Sequence, residues 1–551
     1  MLYNRERAYR STTMAPNGVI TTPHYLASQA GMQVLQEGGN AIEAAIAAAS
    51  TIAVVYPHMN SIGGDNFWLI YNASKHELRG LNSSGRSGEN ATINFYKQKN
   101  LTSIPARGYL SANTVPGAVA GWEKAYEYAV NYMDSTFSWD KLLGSAIHYA
   151  KEGFPVTPSQ EYWTNVNLDE KDQQFRYLQQ FSEFEKVYLK NSGMSYKTGE
   201  IMKQEDLALT LEGIAHEGSK LFYKGTLSER IIEDLQKCGG ILTQRDFEAH
   251  QSNWVDPISV DYRGYTAYNL PPNTQGMASL SILNILNNYN LSTIQEGSFE
   301  YYHLLIEATK QAFSDRDKWL TDPEFSNIPV NELLSKEHGI KLADNINFEK
   351  TFETEKQLDP KGDTVWFGVV DKDGNAVSFI QSIYHDFGSG IIPKGTGVLL
   401  QNRGSFFSLD PNHVNCLQPN KRTFHTLNPA MLFKGNDPYL VYGTMGGEGQ
   451  PQTQAALVTR IIDYNFNVQS AIEAPRWLYG RTWGASSNSL KLENRISKHV
   501  VEGLIKKGHT IEIMEDFTDV MGHAGAILID PESQVKHSGA DPRGDGAAIG
   551  Y

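Results

Sequence analysis

The sequence predicts a mixed α+β protein on three observations. Residues 362–382, GDTVWFGVVDKDGNAVSFIQS, set two alternating apolar runs either side of Asp373-Gly374, a dipeptide that tolerates the positive φ of a hairpin turn. A second strand pair is expected over 61–88, where SIGGDNFWLIYNA and ELRGLNSSGRSG read with period two between glycine-rich turns. From about 119 to 350 the pattern turns mostly helical. There SWDKLLGSAIHYAKEG and FEYYHLLIEATKQAFSDRDKWL space apolar residues three and four apart.

Bulk properties narrow the class. At 551 residues without a Pro/Ser/Gly-rich linker, the chain is expected to build one large core or two closely packed halves. Its 48 basic and 62 acidic residues leave −14, which argues against nucleic acid or an anionic membrane as partner. Cys238 and Cys416 cannot make a disulfide framework or a metal cage, although a single bridge stays open. The N-terminal MLYNRERAYRSTTMAPNG lacks the apolar centre of a secretory signal, so a cytoplasmic protein is expected. Residues 41–57, AIEAAIAAASTIAVVYP, are shorter than a spanning helix and carry Glu43. They read as a buried core helix starting after Gly38-Gly39-Asn40, and no transmembrane helix is expected.

A few residues stand out chemically. Thr364, in the first strand of the central hairpin, becomes a nucleophile with an internal base if the bond before it is cut, because its freed α-amine reaches its own hydroxyl. A strand threonine is otherwise explained by β-propensity. The polar, weakly periodic residues 345–361, NINFEKTFETEKQLDPK, suit the expendable tail such a cut would release. Arg86, set among small residues in SSGRSG, is free to make a bidentate grip on a carboxylate. Gly446 and Gly447 in TMGGEG form either a plain turn or an oxyanion hole built from backbone N–H groups. Asp315, Arg316 and Asp317 read as structural ion pairs on a helix. Gly63-Gly64 lacks the spacing and the lysine of a phosphate loop.

The hairpin, together with FGSGI at 387–391, GTGVLLQNRGSFFS at 395–408 and YGTMGGEGQPQTQ at 442–454, resembles the small subunit of the γ-glutamyltransferase family. SIGGDNF, NTVPGAVAGW, YKG, LPPNTQG, EATKQAFSDRDKWLTDP and the terminal GADPRGDGAAIGY extend the resemblance over nearly the whole chain, in the family's order. It implies a self-cleaving N-terminal-nucleophile hydrolase with a four-layer αββα sandwich. The cut falls at Asp363-Thr364, between a large subunit of 1–363 and a small subunit of 364–551 that together form a heterodimer, with further assembly open. Thr364 is then the nucleophile, Ser382 its supporting hydroxyl, Gly446 and Gly447 the oxyanion hole, and Arg86 the grip on the substrate's α-carboxylate. No metal or organic cofactor is expected.

The acyl pocket departs from the family pattern. Where relatives hold the substrate's α-ammonium with acidic side chains, this chain has Arg403 and Phe406, with Ser405 beside them. Tyr384 replaces an asparagine, and His425-Thr426 replace the paired serines that hold the carboxylate. This resembles the branch containing cephalosporin acylases and γ-glutamyltransferase-like proteins. The connection over 408–421 also looks shorter than in relatives with a lid, leaving an open pocket that admits water. The expected activity is cleavage of γ-glutamyl amides such as glutathione through an acyl-threonine, with hydrolysis favoured over transfer to an amine. The alternatives are an acylase for glutaryl or cephalosporin amides and an uncut, non-catalytic binding protein.

Overall fold

Alternation along the central hairpin decides the layering. The computed structural model describes residues 9–173, 175–352, 363–480 and 489–551. In chain order its main strands begin with β1 (Thr13–Ala15), β2 (Val19–Thr22), β3 (Asp65–Asn72), β4 (Glu77–Ser83), β5 (Asn253–Val255), β6 (Ile258–Tyr262) and β7 (Tyr265–Asn269). They continue with β8 (Asp363–Val370), β9 (Ala376–Tyr384), β10 (Ala430–Lys434), β11 (Asp437–Thr444), β12 (Ala524–Ile529), β13 (Lys536–Ala540) and β14 (Ala547–Gly550). Two seven-stranded sheets result, ordered β14-β2-β8-β9-β3-β4-β5 and β1-β13-β12-β11-β10-β7-β6. All their pairings are antiparallel.

Side chains one apart on β8 serve different layers, as the period of a strand requires. Phe367 and Val369 join the core under the helices α1 (Tyr25–Gln36) and α2 (Ala41–Val55), whereas Trp366 and Val370 join the core between the sheets. On the far side, α3 (Gly276–Leu286) covers β6 and β7, α5 (Gly449–Ile462) covers β11, and α4 (Phe299–Trp319) packs on both helices. The order is helix, sheet, sheet, helix, which is the expected αββα sandwich. Strands from either side of Thr364 interleave in both sheets. The sheets approach closely because glycine lies opposite Trp366: a Cβ built on Gly443 would stand 2.2 Å from its Nε1.

Local expectations fare unevenly. The hairpin turn is one residue longer than a dipeptide: Asp371 and Asn375 pair across it, Gly374 takes φ 85°, and the Asp371 carboxylate accepts the Asp373 and Asn375 N–H groups at 3.0 Å each. Helix α2 is buried along its whole length and starts at Asn40 in a capping box with Glu43, whose second oxygen accepts the Thr136 and Phe137 N–H groups. The middle of the chain is less uniformly helical than its pattern suggests, because β5, β6 and β7 close the edges of both sheets. There Pro257 bars a helix, and Arg263-Gly264, at φ 54° and 81°, makes a two-residue hairpin turn. Both cysteines are free thiols. Among the described residues no helix is long and apolar enough to cross a membrane. Residues 353–361 of the expected tail lie outside the described residues.

Candidate active site

Thr364 is buried near the start of β8, at an irregularity in the ladder. Asp363 pairs with Tyr384 and Val365 with Gln381, so Ser382 and Ile383 share the place opposite Thr364. Such a bulge re-aims side chains, and here it sets two hydroxyl residues against each other. On its other edge Ser382 pairs with Asp65 of β3.

Ser382 leads on to the residues that replace the family's pocket. Its Oγ accepts the Tyr384 N–H at 2.8 Å and the Arg403 Nη2 at 3.3 Å. Arg403 opens a short 3₁₀ turn, Arg403–Phe406, and is fully buried. Its Nη1 donates to Thr426 Oγ1 at 3.3 Å, and its plane lies 4.3 Å over the ring of Tyr384, a residue held at φ 81°. Among the described residues its Nε has no hydrogen-bond partner, and no carboxylate lies within ion-pair distance. Burial lowers the guanidinium to about 10, so it stays charged at neutral pH.

Behind Arg403 sits a saturated acid. Asp65 Oδ1 accepts the Gly85 and Gly117 N–H groups at 3.0 Å each and Gln401 Nε2 at 3.1 Å, while Oδ2 faces His425 Nε2 at 3.3 Å. Burial raises this carboxyl to about 6 against the opposing pull of Arg403. His425 is driven well below the usual imidazole range by burial and by Arg403, so it is neutral. Sequence reasoning passed over Asp65. The signal was an acid next to Gly63-Gly64, within a strand buried on both faces.

The third part is the loop after β11. Gly446 and Gly447 take φ 115° and 52°, backbone that suits glycine, and both are buried. Their N–H groups donate to no acceptor among the described residues. The N-terminus of α5 follows at once, adding its partial positive charge. Met445 packs in one cluster with Val365, the residue after Thr364, which brings this loop to the start of β8. Gln275 braces it, donating to the Gly447 carbonyl at 2.9 Å and to the Thr426 carbonyl at 2.8 Å. Arg316 does pair with Asp317, as expected, but it is buried and also reaches Glu448 at 3.0 Å and Gln275 at 3.2 Å. Its tie to the glycine loop crosses 132 residues, a distance that helix periodicity cannot report.

The remaining candidates are placed differently. Arg86 is already engaged, with Asp322 at 3.1 Å, with Glu324, and with the Asn420 carbonyl at 3.0 Å. It lines a cavity of about 160 Å³ with Arg422, His250 and Asp246, and Thr364 is not part of that lining. Ser405 turns back to donate to the Asn402 carbonyl at 2.8 Å. Phe406 packs on Tyr384 and Phe424, with ring centres 5.1 and 4.6 Å away. The structure therefore gathers Ser382, Tyr384, Arg403, Phe406, His425 and Thr426 in one contiguous set, with Thr364 opposite Ser382.

The gamma-glutamyltranspeptidase family model matches residues 27–551. The glutathione hydrolase-like YwrD proenzyme of Bacillus subtilis is 47% identical over 97% of this chain and 98% of its own. The oxamate amidohydrolase proenzyme of Klebsiella pneumoniae is 43% identical over 98% of this chain and 100% of its own. Among solved structures, cephalosporin acylase from Bacillus halodurans superposes with a TM-score of 0.89 at 36% identity, covering 100% of this chain and 98% of that one. The chain belongs to the gamma-glutamyltranspeptidase family.

Proposed function

We propose that this protein is a self-processing amidohydrolase whose acyl pocket takes a carboxylate-bearing acyl group without an ammonium. The observation that carries this reading is Arg403, a buried cation beside Ser382 with an unbonded Nε and no carboxylate partner among the described residues. A buried charge in that condition is costly unless a ligand completes it. Asp65, the acid whose charge acts on Arg403, is fully buried and already engaged by Gly85, Gly117, Gln401 and His425, so it presents no exposed oxygen to a substrate ammonium.

The chemistry follows from the residues. Thr364 Oγ1 attacks the Asp363 carbonyl carbon, the peptide becomes an ester, and water hydrolyses it to leave Thr364 with a free α-amine. This divides the chain into 1–363 and 364–551, in keeping with relatives that are named proenzymes. In the mature site the same oxygen attacks the substrate amide. The α-amine takes the hydroxyl proton and returns it to the leaving amine, while the Gly446 and Gly447 N–H groups hold the oxyanion. Water then resolves the acyl-threonine. None of these steps calls on a metal or organic cofactor.

A second reading, hydrolysis of glutathione and other γ-glutamyl amides, is favoured by likeness to the glutathione hydrolase-like protein. Rates on oxamate, a glutaryl amide and glutathione separate the two. The proposal expects kcat/KM for an ammonium-free acid amide to exceed that for glutathione at least about tenfold, a 1.4 kcal/mol preference. Glutathione cleaved as fast or faster would favour the γ-glutamyl reading instead.

A further inference from the structure

Outside that site, a compact group of titratable side chains is buried where α4 meets residues 345–352. His303 and Glu307 lie one turn apart on α4, and His509 comes from beyond Thr364. Their ligand-type atoms all lie within 4.8 Å of one another, the makings of a two-histidine, one-carboxylate metal centre. Their hydrogen bonds argue for something else. The Lys310 ammonium already stands 3.0 Å from Glu307 Oε1, and the two imidazoles bond each other at 2.8 Å, Nδ1 of His303 to Nε2 of His509. Burial lowers both histidines, and Lys310 adds to the effect on His509, held at about 3. The cation of this cluster is its own lysine.

What the cluster holds is the chain. Glu307 accepts the Thr351 hydroxyl and the Phe352 N–H, each at 2.7 Å. Lys310 donates to the Phe352 carbonyl at 3.1 Å and to Thr351 Oγ1. His303 Nε2 faces the Asn347 carbonyl at 2.8 Å. The part of the chain after Thr364 grips the same residues: the Thr351 N–H donates to the Lys507 carbonyl at 2.7 Å, and Lys507 Nζ reaches the Phe348 carbonyl. Phe352 stands 12 positions before Thr364.

We propose that this cluster is a latch between the two fragments: Glu307 and Lys310 from one, with Lys507 and His509 from the other, keep residues 347–352 of the large fragment docked after the chain is cut. The idea rests on the reading that the chain is cut before Thr364. Removing one member of a buried ion pair strands its partner, so Glu307 is the position to change.

The test is hydrogen exchange at the Thr351 and Phe352 amides in full-length protein. Wild type, cut, and Thr364→Ala, uncut, are expected to protect both amides equally. Glu307→Gln should speed exchange at Phe352 by at least about tenfold, and the milder Thr351→Val should fall between it and wild type. Free-chain exchange at Phe352 in the cut protein would overturn the latch, as would protection unmoved in both variants. One equivalent of Zn²⁺ bound by wild type and lost in Glu307→Gln would make the cluster a metal centre instead. A wild-type chain that stays whole would sink the proposed function, while protection in that chain would still decide whether Glu307 and Lys507 hold Phe352 and Thr351.

Discussion

The Gln275 side-chain amide joins the Gly447 carbonyl, at 2.9 Å, to the Thr426 carbonyl, at 2.8 Å. One buried group thus fixes the glycine loop against the strip that meets Arg403. Gln275→Leu keeps the volume and removes both bonds. The expected outcome is a kcat reduced about 10- to 100-fold with little change in KM, since an oxyanion donor acts on the transition state. Steady-state kinetics on fully cut protein checks it, and an unchanged kcat would separate this brace from the chemistry.

Arg403→Met removes the buried cation. A charge-assisted contact of about 2 to 3 kcal/mol should disappear, lowering kcat/KM for carboxylate-bearing amides roughly 30- to 150-fold while sparing a neutral acyl amide. Arg403→Lys should rescue little, because Ser382 and Thr426 are reached by the two arms of one guanidinium. Competition between charged and neutral substrates reads the effect directly.

Asp65 gives a pH signature. Burial raises its carboxyl from 3.8 to about 6 in the fold, so its contribution favours folding below 3.8 and is lost as pH rises through about 6. Asp65→Asn should flatten that decline in urea midpoints measured across the interval. Above about 6 the ionised carboxylate also offsets Arg403. KM for an anionic substrate should therefore rise through that pH in wild type and stay level in Asp65→Asn.

Gly443→Ala tests the spacing of the sheets. Its methyl would stand 2.2 Å from Trp366 Nε1, two residues from Thr364 on β8. Overpacking of this kind costs about 1 to 3 kcal/mol, visible as a lower Tm.

Much of this arrangement is readable in the residues. The alternation of 363–384 predicts the hairpin, the apolar run after Asn40 predicts the buried helix, and the family motifs imply the layers and the set Ser382, Tyr384, Arg403, Phe406, His425 and Thr426. Three features stay hidden because long-range contacts create them. Asp65 acquires its character from Gly85, Gly117 and Gln401, which approach only when the sheet closes. Gln275 sits in LPPNTQG, a stretch that carries the family resemblance without assigning Gln275 a role, and becomes a brace only where the glycine loop lands. Arg86, free by its neighbours in sequence, meets Asp322 and Glu324 from more than 230 residues away.

The central claim is that Thr364 becomes an N-terminus. Intact mass under denaturing conditions, with sequencing of the smaller piece, tests it most directly. The account predicts two fragments, the smaller beginning Thr-Val-Trp-Phe, and a single chain when Thr364→Ala is made. A wild-type chain still at 61.4 kDa after long incubation would contradict it.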